Sequence, residues 1–167
     1  MPEWTDVDTA LLIDLLERLP SPMPYPAFRA LCKRMPSSAC ELIVLRRKGL
    51  AIEVLLTQRP ENDPDWPGVW HYTGSVIRDT DTCFENALHR VLDTEIRSYL
   101  REPPKFIADR LTSFKRGLTL QRIYIGILDE STPHEGKFFD IKSLPQPFIN
   151  EQLPGLTIAV KAFEQTH

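Results

Sequence analysis

The segment FENALHRVLDTEIRSY, residues 84–99, has helical spacing and one residue that does not belong on its face. At ~100° per residue, Phe84, Ala87, Leu88, Val91, Leu92, Ile96 and Tyr99 share a broad apolar side. Glu95 falls near the middle of that side, while Asp93 points roughly the opposite way. A carboxylate amid apolar neighbours is costly unless a hydrogen bond, a cation or a metal compensates it. Two readings follow for Glu95. One is a structural ion pair to an arginine of a neighbouring strand. The other is a ligand for a hard cation, since carboxylate oxygen suits Mg²⁺ or Mn²⁺.

Other residues extend the same alternatives. Trp66 and Trp70 bracket a turn in WPGVWHY and either stack on a nucleobase or act as packing anchors. Gln121-Arg122 interrupts the apolar pattern of a strand, so Arg122 either faces a cleft, meeting phosphate or Glu95, or points from an edge strand to water. The four histidines, His71, His89, His134 and His167, are scattered, with no pair at zinc spacing. There is no glycine-rich phosphate loop and no Gly-x-Ser-x-Gly elbow.

The surroundings of Glu95 resemble the signature of the Nudix hydrolase family, a loop–helix–loop that holds divalent cations against a diphosphate. Thr73-Gly74-Ser75 looks like that family's Pro-Gly-Gly, and Asp81 stands where the loop's first acid is expected. With one extra loop residue, Ala87, Arg90, Leu92 and Glu95 match the alanine, arginine, apolar residue and last glutamate of the helix. The flanking segments IEVLLTQRP and WPGVWHY are similar too, and the likeness extends loosely from Cys40 to Ala162. The resemblance implies Gly74 and Glu95 as metal ligands, Asp81 and Arg90 as braces of the loop and helix, and Arg59 beside the substrate. It also implies a further acid from the loop DESTPHEGK, for which Glu130 and Glu135 are the candidates, each equally readable as a solvated loop acid.

The departures are as specific as the matches. The two glutamates expected at positions 91 and 94 are Val91 and Thr94, and Arg97 takes the place of the following glycine. A one-residue shift would recruit Asp93, but it would aim that acid at solvent and waste Glu95. The resemblance therefore implies two functions. The first is a Mg²⁺- or Mn²⁺-dependent, weakly active hydrolase of a nucleoside diphosphate linked to another moiety. The second is a catalytically inactive Nudix-fold protein that binds a nucleotide or a protein partner, with Glu95 held by Arg122 or Lys115.

The remaining elements must position these groups within 167 residues, one domain's length. Apolar content of 42% and charged content of 26% fit an ordinary globular protein. A net charge of −3 offers no basic field for nucleic acid or an anionic membrane. Three unpatterned cysteines and an acidic N-terminus without a leader point to the cytoplasm. The expected partner is a nucleotide-like small molecule. Leu11, Leu12, Leu15, Leu16 and Leu19 predict a helix over 6–19, followed by a proline-rich connector and a short helix over 27–35. This extension, residues 1–36, is expected to cover a sheet edge, pair two copies as a homodimer or border the cleft. Residues 37–167 form the Nudix-like domain: a hairpin from strands 41–47 and 51–58, strands 106–111 and 118–128, and a last helix over 155–165. The element order indicates a mixed sheet flanked by helices, and the resemblance implies an α/β/α sandwich.

Overall fold

The computed structural model describes residues 4–129 and 131–166, so Glu130 and His167 lie outside it. Helix α1 (Asp6–Glu17) opens on a reciprocal cap: Asp8 N–H donates to Thr5 Oγ1 at 3.2 Å, and Thr5 N–H donates to the Asp8 carboxylate at 2.9 Å. None of its residues is buried; Leu11 is 55% and Leu15 50% exposed. The predicted leucine stripe is thus formed but uncovered. Helix α2 (Tyr25–Cys32) lies closer in, and its Tyr25 hydroxyl donates to the Asp65 carboxylate of the loop after β2.

The sheet contains β1 (Ser37–Lys48), β2 (Ala51–Gln58), β3 (Trp70–His71), β4 (Thr73–Val76), β5 (Lys105–Phe114), β6 (Gly117–Gly126) and β7 (Lys137–Asp140). Its order is β3-β2-β1-β6-β5, with β4 on β1 and β7 on β2. Among the described strands only β1 and β6 run parallel, which makes the sheet mixed as expected. With β6 on its other edge, β1 offers one edge to two strands in turn. Ala39–Leu42 pairs with β4 and Leu45–Lys48 with β2. Gly49, at φ +61°, turns the chain between β1 and β2.

Successive residues of β1 feed opposite layers, because side chains alternate across a strand. Leu42 and Val44 pack with Ala87, Leu88, Val91 and Ile96 on one face. Ile43 and Leu45 pack with Leu156, Ala159 and Phe163 of the last helix, α4 (Leu153–Glu164), on the other. The result is the α/β/α sandwich. Helix α3 (Phe84–Val91) is shorter than its apolar pattern predicts, and the chain continues as a π-helical turn, Leu92–Ile96. There Arg97 N–H bonds the Leu92 carbonyl at 2.6 Å, a five-residue span. A π turn takes more residues per revolution than the ~100° wheel assumes, and Arg97 ends it at φ +53°. Tyr99, expected on the apolar face, consequently emerges 71% exposed.

These layers predict a sharp contrast between two leucines. Leu88, 1% exposed between α3 and the sheet, should cost about 2–5 kcal/mol when changed to alanine. The same change at Leu11 should stay within about 0.5 kcal/mol. Denaturant melts of the two variants measure both, and a large loss at Leu11 would mean that α1 is covered in solution.

Candidate functional site

Arg90 joins the segments that carry the site. Its Nη1 and Nη2 donate to the Asp81 carboxylate at 2.6 and 2.8 Å, Nε to Ser75 Oγ at 3.2 Å, and Nη2 also to the Val76 carbonyl at 3.0 Å. One guanidinium therefore ties α3 to the loop before it and to β4. The Arg90 hydrogen bonds hold the Asp81 carboxyl down at about 2. Asp81 closes its own loop as well, accepting from Arg78 N–H at 2.8 Å.

Beyond that brace lies a cleft of about 780 Å³, lined among others by Arg59, Trp70, Glu95, Arg97, Glu135 and Lys137. That is the size of a small-molecule site. Four sequence candidates, Arg59, Trp70, Glu95 and Glu135, come together here. Glu95 is half-buried, with no hydrogen bond or ion pair to it among the described residues. Burial pushes its carboxyl up to about 7, opposed by the charge of Arg59. Arg59 is anchored by Asp63, which accepts from its Nε at 2.9 Å and also from the N–H groups of Asp65 and Trp66 at 3.0 and 2.8 Å. Trp70 meets Phe139 edge to face, 5.0 Å between centroids. Glu135 is exposed and faces Arg97 at 3.6 Å.

Arg122 and Gly74 stand elsewhere. Even-numbered positions of β6 face the α3 layer, so Arg122 lies between the rings of Phe84 and Phe106, at 4.3 and 4.5 Å, and pairs with Asp109 at 3.5 Å. It neither lines the cleft nor meets Glu95. Lys115 does not hold Glu95 either, since its Nζ reaches the Asp65 carbonyl at 3.4 Å. Trp66 is a packing anchor, 7% exposed and edge to face with Phe114. Gly74 lines a smaller cavity beside the cleft, which shares Arg59 and His71 with it.

That smaller cavity exposes a residue the sequence reading passed over. Glu41 is 5% exposed, opposite Gly74 in the β1–β4 register. Its Oε1 accepts from Gln121 Nε2 at 3.0 Å, and burial raises it to about 7 against the Gln121 hydrogen bond and the charge of Arg116. The signal was present: CELIVL is a continuous apolar run with one acid in it, and the run is buried on both faces. His71, also buried, is pushed down to about 4 and is neutral at pH 7.

The donor set does not fit a resident divalent ion. Among the described residues no three His, Cys, Asp or Glu side chains converge on one point. Glu95 feels the charge of Arg59, and Glu135 is engaged with Arg97. A hard cation takes six or more oxygens, and with one carboxylate here most of them would come from water and substrate phosphates, so the protein alone builds no cage for it.

Because Glu41 is favoured in its protonated form, the folded protein holds a proton that the unfolded chain releases above about pH 4.5. Its contribution to stability therefore weakens as pH rises from there toward 7. Glu41→Gln has no charge to bury. Its stability relative to the wild type should improve by on the order of 2–3 kcal/mol between pH 5 and pH 8. Denaturant midpoints at the two pH values read this, and a gap that stays constant would show that Glu41 ionises freely inside the fold.

No protein-family model and no curated protein matches the sequence. Solved structures do. The NUDIX domain of NrtR from Shewanella oneidensis, complexed with ADP ribose, aligns with 84% of this chain and 99% of its own at a TM-score of 0.64 and 16% identity. A MutT/nudix family protein from Enterococcus faecalis aligns with 98% of this chain and 76% of its own, at 0.61 and 14%. A MutT NUDIX hydrolase from Burkholderia pseudomallei covers 80% and 99%, at 0.51 and 21%. At these identities the likeness is one of architecture, and the chain has the fold of the Nudix hydrolases.

Proposed function

We propose that this protein binds a nucleoside diphosphate, alone or carrying a further moiety, in the Arg59–Trp70–Glu95 cleft, without a resident metal. The observation that carries the reading is the charge arrangement of the cleft. Arg59, Arg97 and Lys137 line it together with the aromatic wall of Trp70. Guanidinium groups match phosphate oxygens in a planar, bidentate way, and an indole face accepts a base or sugar. The ADP ribose held by the NUDIX domain of NrtR supports a ligand of this class. No helix among the described residues is long and apolar enough to cross a membrane, so the reading places no ligand in one.

Arg97 is central to it. A non-glycine residue at φ +53° carries roughly 1–2 kcal/mol of backbone cost, and in return a guanidinium stands at the cleft. The second reading is Mg²⁺- or Mn²⁺-dependent hydrolysis of the bound diphosphate, favoured by one observation: Glu95 lines the cleft with no hydrogen bond or ion pair to it among the described residues.

Calorimetric titration with ADP ribose separates the two. On the binding reading, affinity is unchanged by EDTA and rises as pH falls from 8 to 6, because Glu95 loses its negative charge near 7. Glu95→Gln should flatten that pH profile. Arg97→Gly should weaken binding about tenfold, the loss of one charge-assisted contact of about 1.4 kcal/mol, while leaving the melting temperature equal or higher. Binding or turnover that requires Mn²⁺ and disappears in Glu95→Gln would establish the hydrolase instead.

A further inference from the structure

The smaller cavity beside the cleft holds about 70 Å³ and has a cation on one side and a carboxylate on the other. Arg116, from the turn between β5 and β6, lies 5.7, 5.6 and 5.7 Å from the ring centres of Phe28, Trp66 and Phe114. Three rings hold the guanidinium in place, yet its Nε–H is buried without an acceptor. An orphaned buried donor is expensive and marks a position where a partner is missing. Across the cavity, Glu41 spends Oε1 on Gln121 and has no donor to Oε2 among the described residues. Oε2 overlies Gly74 so closely that a Cβ at residue 74 would sit 2.1 Å from it. Among the described residues no ion pair joins Arg116 and Glu41, and both side chains line the space between them.

We propose that this annex reads the base of the bound nucleotide, and that it selects bases with a lactam edge. The inference rests on the cleft binding a nucleoside diphosphate. A lactam, –C(=O)–NH–, offers an acceptor to Arg116 and a donor to Glu41 side by side, as guanine, hypoxanthine and uracil do. Adenine and cytosine offer the reverse: an amino group meets the guanidinium and a bare ring nitrogen meets the carboxylate. The size agrees with edge reading. At about 30 Å³ per water the annex admits two small polar groups, so an edge enters while the ring stays at the mouth, beside Arg59 and His71, which line both spaces. A site built to hydrogen-bond a particular edge rejects the isostere with the opposite pattern, because its own groups are then left unpaired.

The experiment is titration of the protein at pH 8, where Glu41 is ionised and accepts, with GDP, IDP, UDP, ADP and CDP, repeated for Glu41→Gln and Arg116→Met, with folding checked by circular dichroism. GDP, IDP and UDP should bind at least tenfold more tightly than ADP and CDP. Glu41→Gln should narrow that gap to within about threefold, since an amide can turn either its oxygen or its NH₂ to the base. Arg116→Met, which keeps the contact with the three rings, should remove the lactam preference while all five diphosphates still bind. A merely structural role for either residue would weaken every ligand equally and leave the gap. Equal affinity for all five in the wild type, or preference for ADP and CDP, overturns the lactam reading while the cleft reading stands. No binding by any of the five, nor by ADP ribose, overturns both.

Discussion

Everything at the site hangs from the Arg90 guanidinium. Its four hydrogen bonds tie together three pieces of chain: the helix that leads to Glu95, the loop closed by Asp81, and the strand that carries Gly74. A paired, largely buried charge is poor evidence of stability in itself, since desolvation offsets most of the attraction. Its value here is geometric. Arginine presents its donors in a rigid fork, so satisfying them all leaves one relative placement of helix and strand. The position of Glu95 then follows from the chain leaving α3, and the face of the cleft is set.

What stands on that frame has exchanged one kind of electrostatics for another. Where the resembling family carries helix carboxylates that gather metal ions, this chain has Val91 and Thr94, and at the end of the helix it has Arg97. Fewer helix acids and a guanidinium in their place make the field a phosphate would meet less negative. Burial pushes Glu95 and Glu41 both up to about 7, only partly offset by Arg59 and by Gln121 and Arg116.

The layers of the fold were legible because they depend on period. The alternation of β1 and the apolar face of α3 are local patterns, and they assign Leu42 to one core and Ile43 to the other without knowledge of the rest of the chain. The same periodicity located Glu95 as an anomaly, and the resemblance implied Asp81 and Arg90 as braces of the loop and helix, two residues that the structure joins. The failures are equally physical. Arg122 was read as an interruption of a strand, but its parity on β6 decides which face it takes, and that parity is fixed only by pairing with β1. Glu41 stood in plain view inside an apolar run, yet what makes it polar surroundings (Gln121 and Arg116) arrives from about 80 residues away. The π turn and the left-handed Arg97 leave no signature in a wheel that assumes a constant angle, so the end of the helix was misplaced while its beginning was not.

The contact between Glu41 and Gly74 has a consequence for how this protein is able to vary. The carboxylate occupies the volume a side chain at position 74 would need, and β1 and β4 hold the two backbones in register. Neither position is free to drift alone. A side chain at 74 must displace the Glu41 carboxylate and crowds the Cys40 carbonyl, and a smaller residue at 41 leaves the carboxylate's volume open. The two sites therefore form an epistatic pair in which the order of substitution matters. Descendants of this sequence that retain the glycine keep the acid available, whereas those that lose it have first given up the acid.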